Sequence, residues 1–267
     1  MESELQPSVA VLVATHKACE TPTESMYRPI RVGARNQGDF GYLRDDEGDN
    51  ISDLNPYYSE LTGLYWAWKN MDVDYLGLVH YRRYFAPKAQ AYREGISVDE
   101  VILTQDQVLG LLKDKDILLP KKRKYYIETL YSHYANTLDG THLDKTREII
   151  ASHYPEYLES FDQVMKQRSG YMFNMYIMDK SKSDAYCEWL FGVLDHLREQ
   201  VDTSRLTPFE ARLFGRVSEL LLNVWVLKQN LRVQEVPFVY MDKVDFVAKI
   251  KGFLAAKFLG KKYDKSF

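Results

Sequence analysis

"YLGLVHYRRY", residues 75–84, begins as a buried strand and ends as something else. Residues 75–79 are mostly apolar and strand-forming, the mark of a strand inside an α/β sheet. They run without a break into His80, Tyr81, Arg82, Arg83 and Tyr84. A strand that only fills a core has no use for two adjacent guanidinium groups, whose forked donors match phosphate and carboxylate oxygens. The stretch predicts a sheet whose strand ends face an anion.

Working outward, "VAVLVATHK" (9–17) is a β-branched run that turns polar at Thr15, His16 and Lys17. "DILLP" (116–120) is a short strand that runs into "KKRK" (121–124). "YMFNMYIM" (171–178) and "LRVQEVPFVY" (231–240) read as further strands. Between them lie helices. In "NPYYSELTGLYWAWKN" (55–70), Asn55 is a natural N-cap and Pro56 suits the first turn. Tyr57, Leu61, Leu64, Tyr65 and Trp68 then share one face, with Tyr58, Thr62, Trp66 and Lys69 on a second stripe. "TQDQ" (104–107) is a capping box opening a helix to Lys113. Other helical stretches fall near 125–135, 143–153, 155–167, 183–200 and 208–229, the last with a break expected at Gly215. Strands alternating with helices argue an α/β fold, a sheet flanked by helices.

In open α/β sheets ligands bind beyond the carboxyl ends of the strands. If these strands are parallel, three cationic groups meet on one rim: Thr15-His16-Lys17, His80 with Arg82 and Arg83, and the run that starts at Lys121. A diphosphate is the simplest ligand for them. The plainer alternative pairs Arg82 and Arg83 with an acidic loop and leaves 121–124 as a solvated turn. That loop, 33–55, carries Gly33, Gly38, Gly41 and Gly48 among Asp45, Asp46, Asp49 and Asn50. It is too long for a mere connection.

The whole-chain composition excludes some classes. A net charge of −3 over 267 residues gives no bulk case for nucleic-acid binding. Hydrophobic content of 45% and charged content of 27% are those of a folded globular chain. Twenty tyrosines suit surfaces that handle sugars or other flat ligands, although Tyr also packs. Cys19 and Cys187 make no disulfide framework and read as reduced thiols of a cytoplasmic protein. No segment has the order of a signal peptide or the length of a membrane span. The end differs from the rest: "VDFVAKIKGFLAAKFLGKK" (244–262) puts apolar residues at helical spacing with lysines opposite. Residues 242–267 form a basic amphipathic C-terminal helix, either lying peripherally on an anionic membrane surface or docked on the domain formed by 1–241.

The strings "VATHK", "MYRPIRVGA", "GDNISDLNPYYSELTGLYWAWKN" and "YLGLVHYRRYF" resemble a family of bacterial capsular and exopolysaccharide synthesis proteins. That family has long been catalogued as a domain of unknown function and is regarded as a glycosyltransferase family. The resemblance continues through "ILLPKKRKYYIETLYSHY", "HLDKTREII", "FNMYIMDKSKSDAYCEWLF" and "GRVSELLLNVWV", over roughly residues 9–240. It implies a GT-A-like domain with a mixed, mostly parallel sheet. It also implies transfer of a hexose, with galactose in pyranose or furanose form among the family's sugars. The donor would be a UDP-sugar and the acceptor a growing, lipid-linked capsular, O-antigen or exopolysaccharide chain. The alternative is a non-catalytic glycan-binding or scaffold subunit of the assembly machinery.

Under that resemblance the donor side comprises Thr15, His16, Lys17, His80, Arg82, Arg83, Lys121 and Asn174, the last in a variant of the "FN.G" found beneath the donor sugar. Metal is the point of departure. Related enzymes end a middle strand in Asp-x-Asp, which holds Mn or Mg; here that strand ends in "HYRR". Two literal Asp-x-Asp strings, at Asp72–Asp74 and Asp114–Asp116, precede their strands and should lie at the opposite edge. No cofactor and no metal ligand is therefore assigned. Glu219, an acid entering an apolar helical run, is the preferred catalytic base, with pairing to Arg212 or Arg216 as its structural alternative. Asp49 is its rival, with Asp45 and Asp46. On the acceptor side stand Glu60 and Trp66, which are equally candidates for packing, and His142 and Asp144 from "HLD".

Overall fold

The computed structural model describes residues 6–90 and 95–242. The basic tail at 243–267 lies outside the described residues.

The chain opens with β1 (Val9–Thr15), β2 (Tyr27–Arg31) and β3 (Leu43–Arg44), then α1 (Asn55–Tyr58), α2 (Leu61–Asn70) and β4 (Tyr75–His80). Next come β5 (Arg83–Phe85), α3 (Gln105–Leu112), β6 (Ile117–Pro120) and β7 (Arg123–Lys124). The helices α4 (Leu130–Thr137), α5 (Thr141–His153) and α6 (Leu158–Lys166) follow, then β8 (Ser169–Gly170) and β9 (Tyr176–Asp179). Last are α7 (Lys180–Gln200), α8 (Leu213–Lys228), β10 (Val233–Val236) and β11 (Phe238–Tyr240).

The main sheet runs β10-β6-β9-β4-β1-β2-β3, with β5 hairpinned onto β4 and β11 on β5. Strands β1, β2, β3 and β4 pair in parallel, as do β6 and β10. Strand β9 is antiparallel to both β4 and β6, so β4 and β6 point the same way. The expected mixed, mostly parallel α/β sheet is what the chain builds. One rim accordingly collects the carboxyl ends of β1, β4 and β6 together with the entry to β9.

Period-two burial explains why the sheet is covered twice. In β1, Ala10, Leu12 and Ala14 face one core while Val9, Val11 and Val13 face another. The first core holds α2, α5, α6, α7 and α8 residues; the second is covered by α3 and by Tyr84 and Phe85 of β5. Gly77 of β4 cannot be larger, since a Cβ there would sit 2.8 Å from the Tyr176 carbonyl oxygen of β9.

Several element expectations need correction. The helix at 55–70 is two helices broken at Ser59, whose φ of 53° leaves the helical region. Asn55 is not the N-cap; its amide instead donates to the Ser59 carbonyl and to Thr62, bracing the break. The helix near 125 begins only at Leu130, capped by Thr129 and Ser132. Gly215 breaks no helix: α8 starts at Leu213 after a 3-10 turn at Glu210–Arg212. Its missing side chain lets the Tyr58 carbonyl approach, 3.3 Å from where a Cβ would be. The strand at 171–178 is a strand only from Tyr176, because Phe173 (φ 77°) and Asn174 (φ 54°) are both left-handed.

Candidate functional site

Two consecutive left-handed residues that are not glycine cost backbone energy, and something must hold them. Helix α8 does. Asn223 takes the Tyr171 N–H at 2.7 Å and donates to the Tyr171 carbonyl at 2.8 Å. The Phe173 N–H also favours the charged form of the Glu219 carboxyl. Ser218 Oγ donates to Asn174 Oδ1 at 2.9 Å. Asn174 Nδ2 then donates to Glu60 Oε1 at 2.7 Å and to the Gly215 carbonyl at 3.0 Å. Glu60 stands just past the Ser59 break, so the break in α1–α2 aims it at Asn174.

Helix α8 is buried at twelve of its sixteen positions, and the four that are not include Arg216 and Glu219. Those two charges lie one turn apart, in the part of the helix that is otherwise buried from Leu213 to Val226. Burial and the neighbouring Glu60 carboxylate push the Glu219 carboxyl above its ordinary pKa, while Arg216, the Phe173 N–H and Arg83 pull the other way. Burial likewise lowers the pKa of Arg216.

The carboxyl end of β4 faces this group. Arg83 lies with its guanidinium 4.3 Å from the Phe173 ring centroid and 5.6 Å from that of Tyr240. Its Nε is buried with no hydrogen-bond partner, as is the Nε of Arg216. Arg82 Nε donates to the Tyr81 hydroxyl at 2.9 Å, and an ion pair at 3.3 Å joins Arg82 to Asp242. Neither arginine turns to the acidic loop at 45–49. Burial first, then Arg83, Arg82, His16 and Arg212, drives His80 down to a pKa of about 2. It is neutral at any working pH, and because Nδ1 accepts from the Arg82 N–H its proton is on Nε2.

Other candidates fall in different places. His16 and Lys17 are exposed beside Tyr81, His16 edge-on at 5.5 Å and Lys17 with Nζ 5.1 Å from the ring centroid. Burial and the cations Arg82, Lys17 and Arg212 lower the His16 pKa. Thr15 is buried, and its hydroxyl closes the turn by donating to the Lys17 carbonyl at 2.7 Å. That hydroxyl serves the chain, not a ligand. Lys121 is exposed at the end of β6, two strands across from β4. Asn174 is buried with both ends of its amide occupied, so it positions Glu60 and the bend in place of touching a donor.

Trp66 is 8% exposed within the first core, which removes it as a stacking platform. Asp49 is held at the far end of α2, its carbonyl accepting from Asn70 and its carboxylate from Tyr65, near the opposite edge from Glu60. Asp45 is fully buried and accepts from the Gly33 and Ala34 N–H groups and the Ser52 and Thr62 hydroxyls, which makes it the knot of its loop. Asp46 forks onto Arg44. His142 is buried against the Tyr134 hydroxyl at 3.1 Å, and Asp144 accepts from Tyr131, so the pair ties α5 to α4.

The two Asp-x-Asp strings are where their position before the strands put them. Asp74 accepts from the Ser8 N–H and hydroxyl, and Asp116 is paired with Arg232 on the edge away from the rim. Neither fits a metal held against a diphosphate at the end of β4.

Two groups escaped the sequence reading. Glu128 is buried, bonded to His133 at 2.8 Å and to Asn136 at 2.8 Å. Tyr125 lies against His133 with ring centroids 4.2 Å apart and the planes tilted by 40°, and its pKa is pushed up to about 12, chiefly by burial, against Arg123 and with Glu219 and Glu128. Arg212 bears on both His16 and His80 from the turn before α8. Only the charge run before Tyr125 hinted at the first group; the sequence offers Arg212 only as a partner for Glu219, and nothing local ties it to the two histidines.

The site is thus a strained Phe173-Asn174 bend clamped by α8, with the Arg83 guanidinium against the Phe173 ring. The family model described as "Domain of unknown function (DUF4422)" matches residues 10–230. The chain belongs to that family. A solved structure titled "WbbM bifunctional glycosytransferase apo structure" is similar at a TM-score of 0.82 and 30% sequence identity, over 88% of this chain. The DUF4422 chain spans 46% of the length of that protein. No curated protein matches it. Among the described residues no helix is long and apolar enough to cross a membrane.

Proposed function

We propose that this DUF4422 protein is a glycosyltransferase that moves a hexose, such as galactose in either ring form, from UDP to a growing surface glycan. The observation that carries the reading is the convergence of Glu219, Glu60 and Arg216 with Arg83 around one strained bend at the carboxyl rim. Likeness to a glycosyltransferase structure supports it. Lipid-linked acceptors at the cytoplasmic face, and a basic tail at 243–267 that meets that membrane, belong to the same proposal.

In the step proposed, the bond between the donor's anomeric carbon and the diphosphate oxygen breaks, and its electron pair leaves on the diphosphate. The guanidinium charges of Arg83 and Arg82 offset that developing charge, as fixed cations do in a partly dry site. The acceptor hydroxyl oxygen bonds to the anomeric carbon, and its proton passes to Glu219. A raised carboxyl pKa suits that task, since a stronger base takes a hydroxyl proton more readily. His80, neutral with Nε2–H outward, can donate to a phosphate or sugar oxygen but adds no charge.

Calorimetric titration with UDP, GDP and CDP, each with manganese and with a chelator, tests the donor site. UDP binding that survives the chelator and is lost in Arg83→Ala is expected; UDP release from UDP-hexoses should follow. Absence of any nucleotide binding would sink the transferase reading and favour a glycan-binding subunit.

A further inference from the structure

Among the described residues, the large hydrophobic side chains left in solvent are two neighbours, Tyr126 at 76% and Ile127 at 67% exposure. They are exposed by construction, not by looseness. On one side Tyr125 is buried, its N–H bonded to the Arg168 carbonyl at 2.8 Å and its ring on His133. On the other, Glu128 is buried between His133 and Asn136, and the Leu130 N–H holds the Gln167 carbonyl at 2.7 Å. Between these anchors Tyr126 takes a φ of 55°, and the Ile127 N–H closes back on the Tyr125 carbonyl at 2.6 Å. Arg168 Nη1 braces the tip through the Tyr126 carbonyl at 3.2 Å. A left-handed tyrosine is an unfavourable conformation, and here it turns two apolar side chains outward.

The charge along 121–127 is of one sign. Lys121, Lys122, Arg123 and Lys124 are all exposed, Arg168 is exposed beneath, and 121–127 contains no acidic residue. The Lys122 Nζ and the Arg123 guanidinium carbon sit 4.8 and 5.2 Å from the ring centroids of Tyr171 and Tyr125, so these two cations rest on aromatic faces while both residues stay exposed. An apolar tip with a basic collar matches one partner chemistry: a bilayer interface carrying anionic headgroups, where Tyr sits at headgroup level and each nearby cation adds attraction. A core-packing role would bury the tip, and a purely polar ligand would not need Ile127.

We infer that the 121–127 finger docks on an anionic membrane surface, inserting Tyr126 and Ile127 while the four cations meet lipid phosphates. The finger leaves β6 at the same rim as Glu219, so docking turns the mouth of the cleft toward the bilayer. This holds whether or not the chain transfers a sugar, and it is separate from the tail at 243–267.

The test is sedimentation of the full chain with phosphatidylcholine vesicles, with and without phosphatidylglycerol. Binding should require the anionic lipid and weaken with salt. A Tyr126→Ser, Ile127→Ser double variant should bind at least ~10-fold more weakly, and each Lys→Gln change in 121–124 should weaken binding by about fivefold. Melting should be unchanged, because the altered side chains are exposed. An environment-sensitive dye on Ile127→Cys should shift to the blue on anionic vesicles. Wild-type affinity in the double variant, equal binding to both vesicle types, or no dye shift overturns the inference. So does release of the protein by soluble polysaccharide, which would make the finger a glycan platform.

Discussion

The two edges of the sheet use the same side chains to opposite ends. At the edge where β4 and β6 begin, three carboxylates are tied into the fold: Asp74 to Ser8, Asp116 to Arg232, and Asp179 to the Lys182 N–H at 2.9 Å. The pKa values of Asp74 and Asp116 are lowered, chiefly by those hydrogen bonds. At the edge where these strands end, charges of both signs crowd together. Glu219 is raised, His80 is depressed to about 2, Arg216 is lowered and Arg83 has an unbonded Nε. One edge ties carboxylates into the fold, and the other gathers perturbed charges on a single rim.

The largest break in that contrast should come from Glu219→Gln. If Glu219 takes the acceptor's proton, turnover should fall by roughly 10²–10⁴-fold with UDP affinity nearly unchanged. Stability should move the other way. A folded pKa raised above the unfolded one contributes stability that is full at low pH and lost as pH rises through the folded value. The variant should therefore melt higher than the parent at about pH 8, and the difference should vanish at about pH 4. A lower melting point at both pH values would make Glu219 structural.

Arg83→Ala comes next, with a loss of about 10²–10³-fold in donor-dependent turnover and a stability change within about 1 kcal/mol. Unaltered kinetics would remove the diphosphate role.

Asn174→Ala should cost about 2–3 kcal/mol in chemical denaturation, because it strips the Glu60, Gly215 and Ser218 bonds from a buried site. Asn174→Gly should recover roughly 1 kcal/mol of that, the part owed to the left-handed backbone. Equal losses would show that the backbone bend is unstrained.

The smallest effect belongs to the far edge. Asp116→Asn should leave activity alone and cost under about 1 kcal/mol at neutral pH, since its partner Arg232 is 65% exposed. A lowered folded pKa contributes stability present above the unfolded value and lost as pH falls through the folded one, so the deficit should close in acid. An activity loss here would erase the distinction between the two edges.

Much of this contrast was legible before any coordinates. Apolar runs ending in Thr15, His80 and Pro120 marked strands, and the position of Asp74 and Asp116 before their strands placed them away from the rim. Glu219 stood out as an acid inside an apolar helix. What misled was local: a continuous helical pattern at 55–70 concealed the break at Ser59, and a continuous apolar pattern at 171–178 concealed the bend at Phe173 and Asn174. Trp66 and Thr15 looked available because burial is not written in residue type.

The sequence by itself determined the order of strands and helices and the polarity of the strand ends, because periodicity and composition act over a few residues. Tertiary structure alone decided which charges share the rim. The bend at 173–174 exists because α8, some forty-five residues later, supplies Ser218, Glu219 and Asn223 to hold it. A conformation unfavourable in isolation is specified only by the partners that stabilise it, and those partners lie elsewhere in the chain.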